Sequence, residues 1–223
     1  MLLAIIPARG GSKSIKKKNL ALLGDKPLLY YTIKAAKESK CIQEIIVSSE
    51  DEEILEYANN QGVSILKRPK ELAQDTSRSD EVVEYCLKHY PNYEEFVLLQ
   101  PTSPFREAAH IEQAYRKFQE ENAQSLISVC TYEKTILKAF ILNEKGYLKG
   151  ICNDSFPFMP RQELPEVFMA NGAIYLGKTK DFLKNLTFLA KQTSYFLMDT
   201  QSSLDIDEPS DLKRANEILK EKK

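Results

Sequence analysis

Apolar and polar positions alternate along the first two-thirds of the chain in blocks of two lengths. Leu2, Leu3, Ala4, Ile5 and Ile6 form an unbroken apolar run, the pattern of a strand buried on both faces. Short runs at 45–47, 63–66, 96–99 and 126–129 predict further strands. The longer blocks between them repeat at helical spacing. Pro27 opens one in which Leu28, Tyr31, Thr32, Ala35 and Ala36 share a face. Ser49 with Glu52 reads as the capping box of a second helix that runs through Ala58 and stops before Gly62. Val82, Val83, Cys86 and Leu87 mark a third, and Ile111, Ala114, Tyr115 and Phe118 a fourth. Strands separated by helices predict βαβ units and a mostly parallel sheet, closed by 126–129. Ligands of such sheets lie beyond the carboxyl ends of the strands, where the loops after Ile6, Leu66 and Leu99 fall.

The alternation breaks between about 134 and 168. Residues 132–142 and 147–151 read as irregular or hairpin strands around Gly146, followed by a segment with Pro157, Pro160 and Pro165. Three prolines exclude a helix interior or central strand. The segment nevertheless carries Phe156, Phe158 and Met159, so it either folds back on its own domain or reaches onto a second subunit; the second is preferred. Residues 171–175 return to strand character, and 207–220 close the chain as a helix with Leu212, Ala215, Ile218 and Leu219 inward.

Composition narrows the function classes. In 223 residues, 31 Lys and Arg nearly cancel 32 Asp and Glu, which argues against general affinity for nucleic acid or an anionic membrane. The length suits one sizeable domain. Cys41, Cys86, Cys130 and Cys152 form no C-x-x-C pair and read as reduced, mostly buried thiols rather than a zinc site. His89 and His110 have no metal-type neighbours in sequence. The first apolar run is too short for a signal peptide and no stretch reaches the length of a membrane span, which predicts a cytoplasmic protein.

The strongest chemical signal follows the first strand: Arg9, Gly10, Gly11, Ser12 and Lys13, then Lys16, Lys17, Lys18 and Asn19. Glycines let backbone N–H groups close on a ligand, and Arg9, Ser12, Lys13 and Lys18 add donors and positive charge suited to a polyphosphate. Neither G-x-G-x-x-G nor G-x-x-x-x-G-K-[ST] is present, and a glycine turn beside a solvated lysine run is an equal reading. The second signal is Leu204, Asp205, Ile206 and Asp207. On an extended segment the two carboxylates share a face and repel unless a cation lies between them; Mg²⁺ with a nucleotide phosphate suits that position. Asp207 or Glu208 also reads as the cap of the last helix, ahead of Pro209, and for Asp207 taken alone the cap is the preferred reading. Gln100 leaves the central strand on a proline-stiffened loop with both donors and an acceptor. Arg68 reads as a phosphate or base contact, or as a surface cation. Arg161 reads as a partner for a substrate carboxylate, or as a snorkelling side chain. Asn171 either recognises a polar ligand or takes the turn before Gly172.

In this order the pieces resemble the acylneuraminate cytidylyltransferases, also called CMP-sialic acid synthetases. The resemblance is carried by residues 6–13 with Lys18 and Asn19, by 66–69, by 98–104, by 160–165 with 171–175, and by 203–207. It implies a three-layer α/β nucleotidyltransferase fold (nucleotide-diphospho-sugar transferase-like) over residues 1–223, with a small dimerisation arm inserted at about 134–170. It implies that CTP and Mg²⁺ bind and that CMP is transferred to the anomeric hydroxyl of a nine-carbon 2-keto sugar acid such as N-acetylneuraminate. Arg9, Gly10, Ser12, Lys18 and Asn19 would hold the triphosphate, with Arg68 toward the cytidine. Gln100, Asn171 and Tyr175 would line the sugar pocket, Arg161 would come from the partner of a homodimer, and Asp205 and Asp207 would hold the metal. Arg9, Lys18 and Asp207 would be catalytic, with Asp207, or a hydroxide held by the metal, accepting the proton. Several members of the family carry Arg two residues before the Asn-Gly-Ala-Ile-Tyr motif, where this chain has Met169. That departure leaves Lys138 or Arg161 to serve the sugar carboxylate, and keeps legionaminate and pseudaminate open as alternatives. A non-catalytic nucleotide-binding module is the rival from another class.

Overall fold

The computed structural model describes residues 1–221. Its centre is a seven-stranded sheet in the order β11-β7-β10-β6-β1-β4-β5. These strands are β1 (Leu2–Pro7), β4 (Ile42–Ser49), β5 (Ser64–Lys67), β6 (Glu95–Leu98), β7 (Ser125–Tyr132), β10 (Val167–Lys178) and β11 (Thr193–Leu197). Strand β1 pairs in parallel with β4 on one side and β6 on the other, and β4 with β5. The chain therefore reverses its direction of travel at β1, which opens a crevice at the carboxyl ends of these strands.

The apolar run of β1 is continuous because both of its faces are covered. Leu2, Ala4 and Ile6 pack with Leu29 and Ile33 of α1 (Leu28–Glu38), Ile54 and Ala58 of α2 (Glu52–Asn60) and Ile111, Ala114 and Phe118 of α4 (Ala108–Glu120). Leu3 and Ile5 point the other way, onto Val82, Val83, Cys86 and Leu87 of α3 (Ser79–His89) and Phe182 of α5 (Thr179–Asn185). The result is three layers, α/β/α, as the block pattern predicts. A third cluster joins Leu23 of the small β2–β3 ribbon (Leu22–Leu23, Lys26–Pro27) to Ile206 and to Ala215 of the last helix, α6 (Pro209–Glu221).

The structure corrects four expectations. Strand β7 does not extend the parallel series beside β6; β10 inserts between them, antiparallel to both. A late strand fits there because its 12 residues reach across both neighbours, and because its register with β7 breaks between Ala170 and Tyr175, leaving a bulge. The cap of α2 is Asp51, whose side chain accepts from the N–H groups of Glu53 and Ile54; Ser49 ends β4 and its hydroxyl accepts from Asp51 N–H. Pro27 sits just outside α1, at its cap. Of the four thiols, all free, only Cys86 is buried and Cys152 is exposed. Elements α5 and β11 lie in a stretch to which the hydrophobic pattern assigns none.

Residues 134–166 form a short 3₁₀ turn, the antiparallel hairpin β8 (Phe140–Leu142) and β9 (Leu148–Gly150), and two further 3₁₀ turns at Phe156–Phe158 and Arg161–Glu163. Gly146 turns the hairpin at φ 79°, where a side chain would be strained. Phe140, Ile141, Leu142, Tyr147, Leu148 and Phe158 all face solvent, with Phe158 82% exposed. No helix among the described residues is long and apolar enough to cross a membrane.

Candidate active site

At the carboxyl ends of β1, β5 and β6 lies an open cleft of about 350 Å³. Arg9, Gly11, Ser12, Lys18 and Asn19 line it from the loop after β1, Arg68 from the end of β5, and Gln100, Pro101 and Thr102 from the loop after β6. Asp205 and Asp207 close one side, residues 74–79 another, and Leu72 and Val82 supply an apolar wall.

The loop after β1 is held by side chains from outside it. Gly10 N–H donates to Glu50 Oε1 at 2.7 Å, and a Cβ on Gly10 would fall 2.3 Å from Asp51 Oδ2. Glycine is needed here for close approach to the β4–α2 junction, whereas Gly11 faces open space. Asn19, buried, donates from Nδ2 to the Arg9 carbonyl at 2.8 Å and so pins the loop across its own base. Arg9 pairs with Asp75 Oδ1 at 2.9 Å, and Lys13 with the other oxygen of the same carboxylate at 2.8 Å. Lys18 Nζ donates to Asp207 Oδ1 at 3.0 Å and to the Ile206 carbonyl at 3.1 Å. Each cation of the glycine loop that faces the cleft thus already rests on an acid.

Arg68 is nearly fully buried and pairs with Glu50 Oε2 at 3.3 Å, while its Nε has no partner. Burial lowers the guanidinium pKa and the Glu50 charge opposes that shift. Asp205 is mostly buried: burial raises its pKa, the Thr102 hydrogen bond lowers it, the Asp207 charge raises it and Lys18 lowers it. Its Oδ1 is buried with no hydrogen-bond partner. An orphaned carboxylate oxygen beside a second carboxylate fits a hard cation that completes its shell with phosphate and water oxygens. No group of three or more His, Cys, Asp or Glu gathers around a common point among the described residues, so a dedicated all-protein cage is not what this site offers.

Not every candidate residue meets in this cleft. Asn171 spends its amide inside the fold: Oδ1 accepts from Ser128 Oγ at 2.6 Å and from Ala173 N–H at 3.2 Å, and Nδ2 donates to Ser203 Oγ at 2.9 Å. It knots the β10 bulge to β7 and to the loop that leads into Asp205. Gln100 lies over the following residue; a Cβ on Gly172, which sits at φ 76°, would fall 2.7 Å from Gln100 Oε1. Tyr175, half-buried beside Phe188, has its pKa raised first by burial and then by the Asp205 charge. Arg161 is exposed, pairs with Glu133 at 2.9 Å, and lines a separate surface hollow with Lys134 and Glu166 rather than its own chain's cleft. Lys138 lies in the same arm, and Met169 is exposed on β10. Glu50, Thr102 and Ser128 escaped the sequence analysis. A polar residue directly after an apolar strand is the signal that marks Glu50, but nothing local distinguishes Ser128 from any other strand serine.

An α/β/α layering, a crevice at the sheet's reversal point, a cationic glycine loop and a facing carboxylate pair define the nucleotidyltransferase class of fold. A solved CMP-2-keto-3-deoxy-manno-octonic acid synthetase, complexed with CTP, superposes over 100% of this chain and 99% of its own, with a TM-score of 0.75 at 15% identity. The chain belongs to the cytidylyltransferase family, whose model matches residues 3–223. It is 37% identical over 222 residues to the N-acylneuraminate cytidylyltransferase of Escherichia coli O18:K1:H7, covering 99% of this chain and 52% of that protein. It is 33% identical to the pseudaminic acid cytidylyltransferase of Campylobacter jejuni, covering 98% of this chain and 96% of that one. The chain therefore spans about half the length of the first of these relatives and nearly all of the second.

Proposed function

We propose that this protein transfers CMP from CTP to the anomeric hydroxyl of a nine-carbon 2-keto sugar acid, releasing pyrophosphate. One observation carries the reading: a cationic glycine loop faces a carboxylate pair with an orphaned buried oxygen across a cleft of about 350 Å³, in a chain of the cytidylyltransferase family. Phosphoryl transfer of this kind rests on positioning and charge neutralisation more than on covalent help from the protein. Arg9, Lys13 and Ser12 bind the triphosphate in place of the Asp75 carboxylate, and Arg68 faces the nucleoside over the apolar wall of Leu72 and Val82. Lys18 stabilises charge on the departing pyrophosphate. Asp207, released from Lys18, accepts the proton of the attacking hydroxyl. Gln100 and Tyr175 orient the sugar, while Gly10, Asn19 and Asn171 hold the loops that carry the contacts. Asp205 and Asp207 would hold Mg²⁺, which when bound supplies positive charge to the phosphates.

The exposed apolar arm supports a homodimer. Six large hydrophobic side chains in water, beside an Arg161 turned away from its own cleft, suit a second copy that covers the arm and receives the arginine in a composite site. Consumption of CTP, with no helix fit to span a membrane among the described residues, suits the cytoplasm. N-acetylneuraminate is the first acid to test. Pseudaminate is the second, because a pseudaminic acid cytidylyltransferase stands among the relatives at 33% identity.

Pyrophosphate release from CTP and Mg²⁺, measured in parallel with N-acetylneuraminate, pseudaminate, legionaminate and 3-deoxy-octulosonate, tests this reading. Release with a nine-carbon acid, abolished by EDTA, is the expected outcome. CTP binding without release from any acid would replace the enzyme by a nucleotide-binding module.

A further inference from the structure

Among the described residues Arg106 is the largest fully buried side chain, 1% exposed, and it makes no ion pair there. A buried charge without a counter-ion is expensive, and a leucine or methionine would fill the same space more cheaply. What the guanidinium does there is specific. Nη1 donates to the Gln100 carbonyl at 3.1 Å and to the Ala173 carbonyl at 2.9 Å. Nη2 donates to Thr32 Oγ1 of α1 at 2.6 Å, and that hydroxyl lies 3.4 Å from the same Gln100 carbonyl. Nε is left without a partner. One planar fork thereby ties together three separate elements: the loop after β6, the β10 bulge and helix α1.

The two carbonyls belong to the loop that carries Gln100 and to the β10 bulge against which the Gln100 side chain lies. Gln100 leads to Thr102, which lines the cleft, accepts Ile206 N–H on its carbonyl at 2.8 Å and hydrogen-bonds to Asp205 through its side chain. Ala173 follows Gly172, the residue whose missing Cβ leaves room for the Gln100 amide. Neither wall has continuous strand pairing here: the register of β10 with β7 is broken from Ala170 to Tyr175, and β6 ends at Leu98. A rigid guanidinium replaces the missing ladder, and a lysine, with a single rotatable ammonium, cannot hold the same fork.

We propose that Arg106 is a positioning residue for the sugar-acid half of the site: by bonding Gln100 and Ala173 at once it sets the gap in which the acid is held, without touching the acid. This rests on the reading that the cleft activates a nine-carbon sugar acid. A displacement on the scale of 1 Å in such a wall costs roughly 10²-fold in rate or affinity.

The test is steady-state pyrophosphate release by wild type, Arg106→Met, Arg106→Lys and Thr32→Val, with CTP and the best acid varied separately, and a thermal melt of each protein. Arg106→Met is expected to raise KM for the acid by about tenfold or more while KM for CTP stays within about twofold, with Arg106→Lys between it and wild type. Thr32→Val, which removes one acceptor of the fork, is expected to raise KM for the acid by about threefold. An unchanged acid KM in folded Arg106→Met, or CTP and acid KM rising together, overturns the proposal. If neither Arg106 variant folds, Thr32→Val decides, and an unchanged acid KM in that protein overturns it. Wild type that releases no pyrophosphate from any acid overturns the underlying reading, and the proposal with it; active wild type with unaffected variants overturns the proposal alone.

Discussion

Glu50 and Arg68 form a buried ion pair, with Oε2 3.3 Å from Nη2 and side chains 14% and 3% exposed. The other Glu50 oxygen accepts Gly10 N–H, so one carboxylate couples the glycine loop after β1 to the arginine at the end of β5. The two sides of the cleft that carry the glycine loop and Arg68 are thereby set by a residue that does not line it.

Removing this carboxylate strands a buried guanidinium and frees the loop. Glu50→Ala is expected to cost about 3 kcal/mol, which for a chain of this size lowers Tm by roughly 6–12 °C, and to raise KM for CTP. Thermal denaturation with and without CTP reads both effects. A Tm within about 1 °C of wild type would show that Arg68 finds another counter-charge.

Lys18 rests on Asp207 and the Ile206 carbonyl, poised beside the cleft. Lys18→Ala is expected to lower kcat by roughly 10²–10³ with little change in Tm. Near-normal turnover would remove Lys18 from the transition state.

Asp205 opposes folding in its ionised form. Burial, above all, raises its native pKa above the ordinary aspartate value, so the folded chain binds this proton more tightly than the unfolded one. That contribution favours folding below the unfolded value and is lost as pH rises through the native one. In EDTA, Asp205→Asn is therefore expected to have a higher Tm than wild type at pH 7, and the difference should vanish below about pH 3.8. The same variant is expected to need more Mg²⁺ for pyrophosphate release. A lower Tm at pH 7 would contradict the burial argument, and an unchanged metal titration would contradict the metal assignment.

Asp75 holds Arg9 and Lys13 together at the mouth of the cleft, and both cations hold its carboxyl below the usual range. On the proposed function, a bound triphosphate would compete with that carboxylate. Asp75→Asn is expected to lower KM for CTP by about two- to threefold at low ionic strength, and the gain should fade near 1 M salt, where the screening length is about 3 Å. A KM that rises instead would make Asp75 part of the nucleotide site.

The proposed homodimer with a composite site can be tested by complementation. On that proposal Arg161→Ala and Lys18→Ala proteins are each expected to be nearly inactive, while subunit exchange between them should restore about a quarter of wild-type activity, through the one intact site of each mixed dimer. No recovery after demonstrated exchange would place Arg161 outside the site.

Much of this fold is legible because its signals are local. An apolar run buried on both faces marks β1, spacing of three and four marks α1 to α4, and Gly146 marks the hairpin. The glycine loop and the pair Asp205 and Asp207 are also visible: both carboxylates line the cleft as an extended segment predicts, although residues 204–207 belong to no strand. The misreadings share one cause. Ser49 and Asp51 both offer cap chemistry, and the choice went to Asp51 because pairing with β1 carries β4 through Ser48. Asn171 looks like a ligand contact until Ser128, Ser203 and Ala173 claim its amide.

The sequence by itself determined the layers, the parallel core of the sheet, the cationic glycine loop and the apolar, proline-rich composition of the arm, since each depends on residues within a turn or a strand of one another. Only the tertiary structure decided that β10 inserts antiparallel between β6 and β7, that Glu50 is the counter-charge of Arg68, and that Arg106 bonds Gln100 to Ala173. Glu50 and Arg68 lie 18 positions apart, Arg106 and Ala173 67, and the paired residues of β6 and β10 further still. Their partners are chosen by which buried donors and acceptors remain unsatisfied once the core has packed, and no local pattern records that.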